Sequence, residues 1–173
     1  MTASAPSGTG RSRRVPDLGV TDGLVQLSFL VQGVLARAAD AHGLSVQQAR
    51  LLGILRDREP GMAQLAVVLD LDKSSATGLV SRAERRGLVE RAAVPEDRRA
   101  VSVVLTAEGR RLAQEIAAEV ERQLHQAVSG LTETNRKRLS QLASQVVHHH
   151  ADRHGLDLST GVTASAAARA RRN

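Results

Sequence analysis

LAVVLDLDKSSATGLVSRAERRGLVERAAVPEDRRAVSVVLTAEG, residues 65–109, contains a helix start, a helix stop and a hairpin in close succession. Asp72 is a good N-cap for a helix beginning at Lys73. Ala76, Leu79, Val80 and Ala83 recur at helical spacing and form its inward stripe. That leaves Ser74, Ser75, Thr77, Gly78, Ser81, Arg82 and Arg85 facing outward. Gly87 ends the helix. LVERA then reads as a strand, residues 93–99 as a turn, and AVSVVL as the return strand with Val101, Val103 and Leu105 on one face.

Working outward, Thr106 caps a long helix with apolar positions at Leu112, Ile116, Val120, Leu124, Val128 and Leu131. Upstream, SVQQARLLGILRDREPG opens on a Ser45–Gln48 capping box and stops at Pro60 and Gly61, and a short helix follows at about 62–69. Two short helices, a capped helix and a two-stranded hairpin, in that order, form a winged helix-turn-helix. The first helix, residues 22–42, carries Leu24, Leu27, Val31, Val34, Leu35 and Ala38 on one face and Val25, Phe29 and Ala36 on another. A helix with two apolar faces must be covered on both sides, by its own domain and by a second subunit. Thr132 starts a last helix with Leu139, Leu142 and Val146. The expected fold is thus mainly α with a small β-wing: a winged helix-turn-helix lobe at about 45–105 and a helical dimerisation region at about 20–42 and 106–154. Residues 1–19 and 155–173 read as disordered basic tails.

Composition narrows the function. A chain of 173 residues is long enough to bury one real core. It has no cysteine, which excludes disulfides and thiolate metal sites, and Phe29 is its one aromatic residue, so Leu, Val, Ala and Ile must build the core. No uninterrupted apolar stretch reaches the roughly 18 residues of a membrane span, and MTASAPSGTGRSRR lacks the apolar centre of a signal peptide. A cytoplasmic protein with no membrane partner is expected. The net charge of +6 is localised: the two tails together hold +4, and the window from Lys73 to Arg99 holds seven bases against four acids. The rest of the body is slightly acidic.

A helix face of small polar groups with arginine further along suits entry into a DNA major groove, because large side chains would hold the backbone away from the bases. Taken alone, that face would equally be an ordinary solvated surface. The localised charge and the hairpin favour double-stranded DNA. The candidate major-groove residues are Lys73, Ser74, Ser75, Thr77, Gly78, Ser81 and Arg82. At the hairpin tip, PEDRR concentrates charge that folding does not require. A minor groove attracts a guanidinium through its negative potential, and Arg99 is placed to be the inserted side chain. A solvated turn is the alternative.

Residues 65–109 resemble the DNA-binding core of the MarR family of bacterial transcriptional regulators, and the surrounding helix pattern extends the likeness to about 20–152. Its most specific part is the wing, where DRR precedes a strand ending in Leu105–Thr106, with Gly109 shortly after. The resemblance implies an obligate homodimer with interlocking first and last helices. It also implies two lobes on successive major grooves of a near-palindromic operator and, in many members, a small-molecule pocket between lobe and dimer region. By the family's pattern, Asp97 pairs with a nearby arginine and fixes the wing, while Arg98 meets phosphate. Three positions depart from it: Asp70 stands where the turn glycine is usual, Gly61 where a capping Ser or Thr is common, and Ala83 where leucine is usual. Aspartate tolerates a left-handed backbone, so the turn should survive, and the other two changes suggest a slightly weaker or shifted packing of the lobe.

Other chemistry has little support. There is no phosphate loop, dinucleotide fingerprint or nucleophile elbow, so neither an enzyme nor a cofactor is expected. His150 and His154 have the i, i+4 spacing of a helical metal site, but His148, His149, His150, Asp152 and His154 read more simply as a solvated helix end. A winged helix used for protein contact is the remaining alternative class. A small organic anion is the expected effector, with Ser28, His42 and Arg50 the polar groups nearest the apolar faces of the first two helices and the helix from Thr106.

Overall fold

Helix α1 spans Gly19–Asp40, α2 Val46–Leu55, α3 Met62–Val68 and α4 Lys73–Arg85; strands β1 Val89–Val94 and β2 Asp97–Leu105 follow, then α5 Ala107–Ala127 and α6 Glu133–His154. The computed structural model describes residues 16–94 and 97–154, the side chains of residues 93–101 and 154 excepted. The expected tails therefore lie outside the described residues, apart from residues 16–19, where α1 already begins.

The elements start and stop where local chemistry demands it. The Ser45 hydroxyl accepts from Gln48 N while the Gln48 side chain accepts from Ser45 N, completing the capping box of α2. Asp70 has φ 54°, and its neighbour Leu71 N bonds back to Ala66 O, so an aspartate closes α3 in the left-handed conformation usually given to glycine. Gly87, with φ 68°, ends α4 in the same way, Leu88 N reaching Ala83 O. Thr106 caps α5 by accepting from Gly109 N and also donates to Gly87 O at 2.6 Å. Gly109 is tied to that junction: a Cβ there would fall 1.8 Å from the Leu88 carbonyl oxygen, which no real side chain tolerates. The Leu-Thr and glycine signature after the wing is thus the seam between β1, β2 and α5.

One core runs through the lobe. Leu51, Leu52, Leu65, Leu69, Val80, Val89 and Val103 are fully buried, and α5 adds Leu112, Ala113 and Ile116. Gly61 forms a bridge to Ser102 and Val103 N bonds to Pro60 O, so the segment before α3 adds a one-residue third strand to the base of the wing.

Two expectations change. The wing turn is shorter than residues 93–99: the strands reach Val94 and Asp97. Register steps from Ala93↔Val101 to Val94↔Asp97, so Arg98, Arg99 and Ala100 fall within a bulge of β2 rather than a loop. In α1 the two-faced pattern does not extend along the helix. Val34, Ala38 and Ala39 are buried in its C-terminal part, whereas Leu24, Leu27 and Phe29 (61% exposed) in its N-terminal part are bare. By length and composition α1 is long and apolar enough to cross a bilayer, although its apolar residues form no uninterrupted run of that length. Instead its C-terminal part packs on α2 and α5.

Candidate nucleic-acid interface

The inward stripe of α4 is the expected one: Ala76, Leu79, Val80 and Ala83 are all buried. The opposite face carries the candidate major-groove residues together. Lys73, Ser74, Ser75, Thr77 and Arg82 are exposed, and Gly78 and Ser81 are half-buried. Gly78 keeps that face low, and Arg82 folds back over it, its Nη1 3.3 Å from where a Cβ would stand.

The helix start is held by one carboxylate. Asp72 Oδ1 accepts from Ser74 N at 2.8 Å and Ser75 N at 2.9 Å, the capping pattern. It also accepts the Ser74 hydroxyl at 2.5 Å, and Oδ2 accepts the Ser75 hydroxyl at 2.6 Å. The side-chain hydrogen bonds from Ser74 and Ser75, followed by the backbone bonds, hold the Asp72 carboxyl well below the usual carboxylate range. One turn on, the Thr77 hydroxyl donates to Lys73 O at 2.8 Å.

Two arginines outside the expected set brace this helix. Arg91 of β1 donates from Nη2 to Ser81 Oγ at 3.2 Å and sits 3.7 Å from Glu84, joining wing to recognition helix. Arg86, just past α4, donates to the carbonyl oxygen of Gly43 at 2.8 Å, tying the helix end to the turn after α1. Both bonds are exposed, so they orient more than they stabilise. No local sequence signal marks either, since the partners lie 10 and 43 residues away.

For the wing, the backbone of Asp97, Arg98 and Arg99 belongs to β2, and their side chains lie outside the described residues. The expected effector residues are dispersed over local partners. Ser28 donates to Val25 O within α1, His42 Nδ1 lies 3.9 Å from Glu115 of α5, and Arg50 is exposed on α2. An open cleft of about 1410 Å³ lies instead between α5 and α6, lined by Leu124, Val128, Leu139 and Ala143 with Arg56 and Arg136 at its edge, and by none of those three. Among the described residues no group of three or more His, Asp or Glu is placed to hold a metal ion.

A capped helix with a low hydroxyl- and arginine-bearing face, set beside a two-stranded wing, defines a winged helix-turn-helix protein of the transcription-regulator class. Residues 42–100 match the model of the MarR family, and the chain is similar to transcriptional regulators beyond that segment as well. It is 28% identical over 143 residues to the HTH-type transcriptional regulator PecS of Dickeya dadantii (strain 3937), covering 78% of this chain and 86% of PecS. Among solved structures it is similar to CouR from Rhodococcus jostii RHA1 bound to p-coumaroyl-CoA, with a TM-score of 0.62, 28% identity, and coverage of 72% of this chain and 89% of CouR. A MepR mutant from S. aureus bound to an oligodeoxyribonucleotide shares the fold, with a TM-score of 0.52 at 17% identity over 73% of this chain and 94% of that one.

Proposed function

We propose that the chain is a ligand-responsive repressor that binds a near-palindromic operator in double-stranded DNA as a homodimer, in the cytoplasm. The observation that carries this reading is the face of α4: Ala76, Leu79, Val80 and Ala83 are inside, and what remains outside is small, hydroxylated or cationic except for Glu84, which sits 3.7 Å from Arg91 of the wing. The dimer is supported by apolar surface that the single chain leaves bare, with Leu24, Leu27, Phe29 and Val31 on α1 and Leu142, Val146 and Val147 on α6 exposed. The α5–α6 cleft is a seat for a partner helix. In the dimer the two α4 helices enter successive major grooves, with each wing along the flanking backbone. Arg99 enters the minor groove there, Arg98 meets phosphate, and Asp97 fixes the wing's shape.

The likeness to CouR, whose structure holds an acyl-CoA thioester, favours an organic anion as effector, with Ser28, His42 and Arg50 the residues assigned to it. A thermal-shift screen of small organic acids, repeated on Arg50→Ala, tests that assignment; equal stabilisation of both proteins removes Arg50 from the site.

Gel shift on the duplex upstream of the chain's own gene tests the DNA reading. A retarded band at nanomolar protein that unrelated duplex does not compete away is expected, and absence of any sequence-selective band would overturn it. Arg99→Ala should cost about 1–3 kcal/mol and flatten the preference for A·T-rich flanks. Arg98→Ala should weaken all sites alike and lower the salt slope by about one unit.

A further inference from the structure

Resting on the DNA-binding reading above, the geometry of α4 points to a donor–acceptor polarity among the hydroxyls of its outer face, set by Asp72 for Ser74 and Ser75 and by the Lys73 carbonyl for Thr77: these three present only acceptors to the major groove and select adenine or cytosine over guanine or thymine on the strand they contact. A serine or threonine hydroxyl ordinarily reads either kind of base, because it rotates to donate or to accept. Here that freedom is removed. An ionised carboxylate accepts only, so the protons of Ser74 and Ser75 point to Asp72, and a backbone carbonyl accepts only, so the proton of Thr77 points to Lys73. What each oxygen has left for a ligand is lone pairs. Major-groove donors come from two groups alone, adenine N6 and cytosine N4, while guanine and thymine offer acceptors there.

The fourth hydroxyl on the face differs. Ser81 Oγ accepts from Arg91 Nη2, and its proton remains available to an acceptor. Beside it Arg82 carries donors alone. Among the hydroxyls the sign therefore changes along the helix, acceptors at Ser74, Ser75 and Thr77 and a donor at Ser81, while Lys73 at the helix start and Arg82 near its end carry donors alone. Asp72 acts through Ser74 and Ser75 and is a positioning residue.

Asp72→Asn tests this with the helix start preserved, since asparagine caps as well as aspartate. Its amide has a single acceptor oxygen and donates from nitrogen, so at least one serine proton is released outward. Duplexes with randomised central bases are selected with the wild-type chain, with Ser74→Ala and Ser75→Ala to locate the bases each serine meets, and with Asp72→Asn. At those bases the wild type should favour adenine or cytosine, and Asp72→Asn should narrow the ratio by about threefold, the worth of one hydrogen bond. Preference at the bases lost in Arg82→Ala should stay unchanged. Because losing a negative charge strengthens binding to every duplex, the ratio is the readout and not the affinity. Melting by circular dichroism verifies the fold, and Asp72→Ser, a different cap, repeats the test if asparagine disturbs it. The inference fails if those bases favour guanine or thymine, if Ser74→Ala and Ser75→Ala alter no base, or if a folded Asp72→Asn keeps the wild-type ratio. Selection of no duplex at all overturns the DNA-binding reading as well; selective binding with no preference for adenine or cytosine over guanine or thymine at those bases overturns this inference alone.

Discussion

Among the described side chains between Leu44 and Leu105 most large apolar groups are hidden, and Val67 and Val68 on α3 stand out as bare. The N-terminal part of α1 and the length of α6 do the opposite. Leu24, Leu27, Phe29, Leu142, Val146 and Val147 stay open, although both helices are regular over 22 residues. The lobe closes on itself because three short helices and a hairpin bring apolar faces toward one another from several directions. The N-terminal part of α1 and most of α6 have no such neighbours among the described residues. The difference teaches that the proposed DNA-reading face and the apolar surface proposed to pair with a second copy lie in separate parts of one chain, joined at α5 and at the Thr106–Gly109 seam.

The largest effect is expected at that seam. Gly109→Ala places a methyl group into the Leu88 carbonyl, backbone against backbone, and should cost about 3 kcal/mol of stability, read as a lower urea midpoint at every protein concentration. Val147→Glu should leave the lobe's fold intact while weakening self-association by about 2 kcal/mol, read by sedimentation across a dilution series. If both variants instead lost stability alike and independently of concentration, the two regions would not be separable. Gly78→Ala works in the opposite sense from Gly109→Ala. Its nearest neighbour is the movable end of Arg82, so the mid-helix alanine should add about 0.5–1 kcal/mol of stability. It should also weaken DNA binding, because the methyl group lifts α4 off the bases; a thermal melt and fluorescence anisotropy read the two effects.

The smallest effect concerns acid. Arg122 and then Gln123 bond to Glu119 and lower its pKa from 4.5 to about 2, and Gln123 in turn accepts from Arg37 of α1. A folded value below the unfolded one gives stability that is complete above pH 4.5 and lost as pH falls toward about 2. The difference in melting temperature between wild type and Glu119→Gln should therefore be present at neutral pH and vanish over that window. A difference that grew in acid would show that this network does not hold α1 to α5.

Where the chain speaks through near neighbours, the sequence was sufficient. Ser45 with Gln48, Asp72, Thr106 and Gly87 lie within a few residues of the groups they satisfy, and the stripe of α4 is a matter of period. The left-handed Asp70 was legible for the same reason. What sequence reading missed acts across distance. Charge made residues 93–99 look like a loop, whereas pairing carries the strands to Val94 and Asp97 and places Arg98 and Arg99 in a bulge. Arg91 on Ser81, Arg86 on Gly43 and the Gly61 bridge to Ser102 depend on tertiary placement that no local pattern encodes. At the candidate site, the sequence identified which residues face outward but not where their hydroxyl protons point, because that depends on the Asp72 carboxylate lying between two serines.

Sedimentation velocity of the chain, alone and with a fluorescently labelled duplex carrying its selected site, tests the separation of reading from pairing most directly. Two chains in the free species at micromolar concentration and two chains per duplex in the complex are expected, with Val147→Glu reducing both together. A single chain that binds one duplex at full affinity would contradict it.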